Sequence, residues 1–322
     1  MKTLIRPLAL AALAILATSA LAQDYPNRNV KLVVPQAAGS GGDIVARLMA
    51  DHMSKDLGQT VFVDNRPGAN GIIGSGEVAH APPDGYTLLL TSVSLVSFNP
   101  YMYKHLPYDP KKDFTFIAPV ADASFVVVAS PASGIKSWDD FVRKAKASAD
   151  GLTFPSAGAG NSTHLYMEMI GRKAGLKLRH IPYKGSAPAL MSVVASETDV
   201  MLVPTVVAFA QIQAGKVVAL AQSGDKRSAK MPNVPLLKEV APDVPPLPGW
   251  YAVVGPPKMD PKVVQKIASA VNDFLKDPAM VAKLNDQYLL PIPGSPAGIQ
   301  ERAEQEAKVW GALIRELNIQ AD

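Results

Sequence analysis

Residues 30–53 read "VKLVVPQAAGSGGDIVARLMADHM". The first five residues form an apolar run of buried-strand type, and from Ile44 onward the apolar positions recur at helical spacing. Between them, Pro35–Asp43 is built of small residues with glycines at 39, 41 and 42. A glycine-rich turn from strand into helix exposes backbone N–H groups at the positive end of the helix and attracts anions. This turn contains neither Lys nor Arg, which a phosphate site usually recruits. A carboxylate can be held by amides and hydroxyls alone, so the loop predicts a carboxylate site. A second turn of the same kind, Ser156–His164, follows a strand at 152–154 and precedes a helix near Leu165.

The rest of the chain has the same alternation. Strands are predicted at 30–34, 60–63, 87–91, 125–129, 152–154, 178–181, 200–203, 217–221 and 251–254, most of them apolar on both faces. Helical patterns of about ten to fifteen residues separate them, an α/β arrangement. Ser137 with Asp140 has capping-box spacing. Asp260-Pro261, Asp277-Pro278 and Ser295-Pro296 each put a capping side chain before a proline at the first helical position, so the last 60 residues should be mainly helical. The proline-dense stretch Pro242–Gly249 reads as a rigid surface connector.

Residues 1–22 read as a secretory signal: Lys2 and Arg6, then "LALAALAILA", then Ala20-Leu21-Ala22 as a cleavage site. This leader holds two of the 32 basic residues and none of the 28 acidic ones, leaving +2 for residues 23–322. So small a charge, evenly spread, excludes nucleic acid as a partner. Without cysteine there is no disulfide or thiolate site, which suits a periplasmic protein of this size. The five histidines lack metal-ligand spacing, so neither metal nor cofactor is expected. Gly68-Ala-Asn-Gly71-Ile-Ile-Gly74 has the wrong spacing for a dinucleotide fingerprint. Gly160-Asn161-Ser162-Thr163-His164 lacks the last glycine of a nucleophile elbow. Ser162 and His164, two apart, would not face each other on a helix. The chain is therefore expected to bind rather than catalyse, an exported hydrolase being the weaker alternative.

The opening stretch, together with "LPYDPKKDF" (106–114), "SAGAGNSTH" (156–164), "HIPYKGSAPAL" (180–190), "AGKVVALAQSGDKR" (214–227) and "PNVPLL" (232–237), resembles the Bug-type periplasmic receptors of tripartite tricarboxylate transporters over essentially all of 25–322. That resemblance implies a two-lobed clamshell, each lobe a mostly parallel sheet flanked by helices. Lobe one would be 23–121 plus 222–322 and lobe two 122–221. It implies a monomer that captures a small carboxylate and delivers it to membrane transporter subunits, or signals to a sensor kinase.

Carried onto this sequence, the resemblance places Gln36, Ala37, Gly39, Ser40, Gly41 and Gly42 of the first loop, and Ala157, Gly158, Asn161, Ser162, Thr163 and His164 of the second, against the ligand. Ser92, ending a strand, reaches the cleft. Asp43 organises the first loop rather than meeting an anion. Many family members carry an acid just after the strand corresponding to 200–202. Here Val203, Pro204 and Thr205 stand in its place and are expected to form an apolar wall. That departure disfavours amino acids and favours a carboxylate with an apolar body, such as the aromatic dicarboxylate terephthalate.

Overall fold

The computed structural model describes residues 25–316 and 318–321, so the leader at 1–22 lies outside the described residues. The strands are β1 (Val30–Val34), β2 (Val61–Asn65), β3 (Thr87–Ser92), β4 (Thr115–Ala123), β5 (Phe125–Ala129), β6 (Leu152–Ser156), β7 (Leu178–Pro182), β8 (Val200–Pro204), β9 (Val218–Gln222), β10 (Trp250–Gly255) and β11 (Leu289–Pro291). A six-stranded sheet has the order β11-β4-β10-β3-β1-β2. A three-stranded sheet has β8-β5-β9, and a two-stranded sheet has β6-β7.

Alternation along the strands divides the core. Leu88 and Leu90 of β3 point to one face with Leu32 and Val34 of β1, where they meet Met49 and Met53 of the Gly41–Leu57 helix and Phe274 of the Pro261–Lys276 helix. Leu89 and Val33 point to the other face, toward Phe98 and Trp310. Each fully buried side chain of this size contributes about 1.5–3 kcal/mol relative to an exposed one. The smaller cluster of Val126, Val128, Met201, Val203, Leu190 and Val193 forms behind the three-stranded sheet.

β1 pairs in parallel with β2 and β3, and β6 with β7. β10 runs antiparallel to both β3 and β4, and β5 antiparallel to both β8 and β9. The expectation of mostly parallel sheets thus fits the direction of β1 to β4 but not the pairing. β10 and β5 are the first strands after the chain passes from one sheet to the other, and each inserts against the local direction.

The chain leaves the six-stranded sheet at Ala123 and enters the other at Phe125. It returns at Trp250, opposite Asp122. The outgoing and returning segments are bonded to each other: Ser223 N donates to Phe125 O (2.8 Å), and Phe125 N donates to Ser223 Oγ (2.8 Å).

Helix starts follow the capping signals. Ser137 accepts from Asp140 N (3.1 Å), Asp260 from Lys262 N (2.8 Å), Asp277 from Ala279 N (2.8 Å) and Ser295 from Gly298 N (3.1 Å). Among the described residues, no helix is long and apolar enough to cross a membrane.

Candidate functional site

Five connections converge where the halves meet, each at the carboxyl end of a strand: those after β1, β2 and β3 from the six-stranded sheet, and those after β6 and β7 from the other half. Ligands of open α/β sheets bind at such ends. A cavity of about 380 Å³ lies between them. Gln36, Asn70, Ser92 and Tyr103 supply its polar groups from one side, and Asn161, Tyr183 and Lys184 from the other. A smaller space of about 20 Å³ shares Gln36, Ser92, Ala157 and Asn161 with it and extends toward Ser162, Thr163, Ser186, Pro204 and Tyr251.

The first loop is tied by Asp43. Its carboxylate accepts from Gly39 N (2.9 Å), from Asn65 Nδ2 (2.9 Å) and from Arg47 Nε (3.0 Å), and the carboxyl is 3% exposed as a residue. Burial alone would raise its pKa. The bonds from Arg47, Gly39 and Asn65 outweigh that and hold it below the ordinary carboxylate value. Gln36 Oε1 accepts from Gly42 N (3.0 Å), which fixes the side chain that lines both spaces.

The second loop spends most of its amides on itself. Ala157 N donates to Thr163 Oγ1 (2.9 Å), Gly158 N to Ser156 Oγ (3.1 Å), Gly160 N to His164 Nδ1 (3.1 Å) and Asn161 N to Gly158 O (3.0 Å). Ser162 N donates across the cleft to Ser94 Oγ (2.9 Å), and Asn161 Nδ2 donates across it to Asn70 Oδ1 (3.1 Å). The sequence reading assigned anion binding to these amides; in this conformation side chains from both halves offer the polar surface instead.

Of the residues singled out by sequence, Gln36, Ser92, Ala157, Gly158 and Asn161 line the main cavity, and Ser162, Thr163 and Pro204 the smaller space. Ala37, Gly39, Ser40, Gly41 and Gly42 line neither space; Gly39 is exposed, whereas Ser40, Gly41 and Gly42 are buried. Ser40 Oγ is buried with no hydrogen-bond partner and faces Gly185, where a Cβ would lie 2.7 Å from it. Gly41 packs on Tyr251. Val203 is fully buried among Val126, Met201 and Ala189 and lines neither space, so only Pro204 of the expected apolar wall reaches one. Thr205 is held by Ser124, whose Oγ donates to its Oγ1 (3.0 Å).

His164 also lines neither space. It stacks on His180 at 3.8 Å between centroids, with Phe154 beyond, and accepts from Gly160 N, which places its ring proton on Nε2. Ser162 Oγ donates to Asn161 Oδ1 instead of facing a base (3.3 Å). Burial, and then the charge of His180, push the His164 pKa down to about 3, and burial pushes His180 down to about 4. Both rings are neutral at pH 7. Their folded pKa values lie below the unfolded value near 6.5, so the unfolded chain binds more protons over that interval. Stability should be complete above about pH 6.5 and fall as pH drops toward 4, by at most about 1.4 kcal/mol per pH unit for each ring. Urea titrations from pH 7 to 4 should show a flatter decline when both histidines are replaced by Phe. An unchanged slope would mean the rings do not titrate this way.

The sequence reading missed the Gly68–Gly71 loop. Its signal was the Asn70-Gly71 pair: Ala69, Asn70 and Gly71 all have positive φ (44°, 48° and 81°), which aims Asn70 into the cleft. Tyr251 and Tyr103 carried no local signal, because tertiary pairing brings them to the site.

Residues 45–319 match the model described as the tripartite tricarboxylate transporter family receptor. The chain belongs to that family. A Cupriavidus necator protein encoded in the gbd 5′ region is 37% identical to this receptor over 308 residues, covering 95% of this chain and 93% of its own. BugT of Bordetella pertussis is 31% identical over 299 residues, covering 92% and 91%. Among solved structures, the periplasmic binding protein BugD superposes with a TM-score of 0.88 at 32% identity, covering 92% of this chain and 99% of its own. An R. palustris protein solved with adipate gives 0.88 at 28%, covering 92% and 99%. MatC from Rhodopseudomonas palustris, with bound malate, gives 0.86 at 28%, covering 90% and 100%. The receptor therefore has the two-lobed fold of periplasmic binding proteins.

Proposed function

We propose that this receptor binds a small carboxylate between its lobes, without turnover, in the periplasm, and delivers it to the membrane subunits of a tripartite transporter. The observation that carries the reading is the composition of the cavity: polar side chains from both halves line it, and no Asp or Glu does. An anion would meet Gln36, Asn70, Ser92 and Asn161 as neutral donors, whereas an ammonium group would find no counter-charge. The adipate and malate bound by the two structural relatives support the same class. We place the hinge near residues 120–122 and 222–224, with lobe one as 23–121 plus 222–322 and lobe two as 122–221. Ligand that touches both lobes then stabilises the closed form.

The test is thermal unfolding of residues 23–322 with adipate, malate and terephthalate, and with glycine and glutamine as zwitterionic controls. At a hundred times its Kd, a ligand of the native state adds about 2.7 kcal/mol. At least one carboxylate should raise the midpoint by several degrees and the amino acids should not. Asn161→Ala should lose that rise. It should also cost about 1 kcal/mol by itself, because Asn161 caps the Ser162–Ala174 helix through Thr163 N (3.1 Å). A panel in which only the amino acids stabilise the protein would refute the proposal.

A further inference from the structure

Among the described residues, the wall of the larger cavity is drawn from positions 35–185 with one exception, Ala321. The end of the Pro296–Glu316 helix explains how that residue gets there. Asn318 has positive φ (48°), a conformation asparagine tolerates. Asn318 N donates to Arg315 O (3.1 Å) and Ile319 N to Ile314 O (3.1 Å), the bond pair of a Schellman stop. Ile314 and Ile319 are buried in one cluster with Trp310, as the apolar partners of that motif should be. The chain then reaches the Asn99–Met102 helix, where Ala321 N donates to Met102 O (3.1 Å). From there Ala321 meets the opposite half. A Cβ built on Gly160 would lie 3.1 Å from Ala321 Cβ and 2.7 Å from Tyr103 Cε2. Tyr103 Oη donates to Ala159 O beside it.

We propose that Asn318–Ala321 is part of the binding site: a strap anchored by Ile319, whose Ala321 seals the cavity against the Ala159–Gly160 turn once the lobes are together and so slows ligand escape. This rests on the carboxylate reading given above and adds a wall to that site. The strap's contacts fall into two sets. Ile319 in the core and the Ala321–Met102 bond lie within the six-stranded half, so they persist whether the cleft is open or closed. The approach to Gly160 crosses the cleft and exists only in the closed form. Gly160 permits that approach by having no side chain, since a Cβ there would strike Tyr103. A segment fixed to one lobe that meets the other only on closure stabilises the closed form. Losing it should raise the rate of escape more than it lowers the rate of capture.

Thiol protection tests this, because the chain has no cysteine of its own. Ala321→Cys puts a single thiol on the strap of the intact 23–322 protein. Its alkylation by iodoacetamide is followed with and without whichever of adipate, malate and terephthalate raises the unfolding midpoint most. Saturating acid should slow the reaction at 321 by about tenfold, as the closed form comes to dominate. Val309→Cys, on the same helix and 59% exposed, should react at one rate throughout. Ala321→Pro then removes the N–H that ties the strap to Met102 O. Stopped flow should show dissociation of the same acid about tenfold faster, with association within about twofold of wild type. Ile319 stays in the core, so ligand-free unfolding midpoints should match and exclude a folding defect. A thiol at 321 that reacts equally fast with and without an acid that still raises the midpoint overturns the inference and leaves the carboxylate reading standing. So does an Ala321→Pro protein with wild-type dissociation. A wild type that binds none of the three acids overturns both.

Discussion

Gly185→Val is expected to weaken ligand binding by about 100-fold while the protein still folds. Gly185 has φ +135°, a conformation that L side chains rarely adopt, and a Cβ there would lie 2.7 Å from Ser40 Oγ and 3.2 Å from Ala37 Cβ. Those neighbours belong to the six-stranded half, whereas Gly185 belongs to the other. The overlap arises only when the lobes are together, so opening relieves it. The backbone strain, about 1–3 kcal/mol, remains in both forms. A closed state destabilised by about 3 kcal/mol relative to the open one lowers apparent affinity by about 100-fold. Calorimetry with the tightest carboxylate measures this directly. Unchanged affinity would mean that the bound form does not bring residues 37–40 against 185. Gly41→Val is a less clean probe of the same loop. Its Cβ would meet Tyr251 Oη at 2.6 Å within one half, so folding and binding would suffer together.

Asp43→Ala should lower unfolding free energy by about 2–4 kcal/mol, because it strips the acceptor from Gly39 N and Asn65 Nδ2 in a buried site. The Arg47 contact adds less, since that side chain is 55% exposed and regains water. Asp43→Asn, which retains one acceptor oxygen, should fall between the two. The pH dependence has a definite sign. The folded pKa is held below the unfolded value near 4, so the stabilisation is complete above that value and is lost as pH falls through the lowered one. Urea midpoints at pH 7 and pH 3 should therefore separate wild type from Asp43→Ala widely at the first and less at the second. A variant within about 0.5 kcal/mol of wild type at pH 7 would show that Asp43 does not hold the loop.

Much of this was legible in the sequence. Apolar runs located β1 and β5 to the residue and the other expected strands to within two residues at either end. Capping residues marked the helix starts because their partners are local. β4 and β11 had no such signal. β4 carries Pro119, which faces Ala252 where its register with β10 shifts, so the strand exists through pairing rather than periodicity. β11 is three residues long and ends in proline. At the site, the glycine-rich loops announced themselves through composition, and Gln36, Ser92 and Asn161 with them, but the side chains that reach the cavity from elsewhere did not. Asn70, Tyr103 and Lys184 come from three separate connections and Tyr251 from β10, and only the packing of the two halves brings them together. Val203 and His164 show the converse: strand alternation turns Val203 into the core, and the stack with His180 holds His164 behind the loop.

The most direct measurement is a crystal structure of the protein with the carboxylate that stabilises it most. The ligand's oxygens should lie within hydrogen-bond distance of Gln36, Asn70 or Ser92 on one side of the cleft and of Asn161 or Lys184 on the other. An acid bound outside the cavity, or contacted by one half alone, would contradict the account.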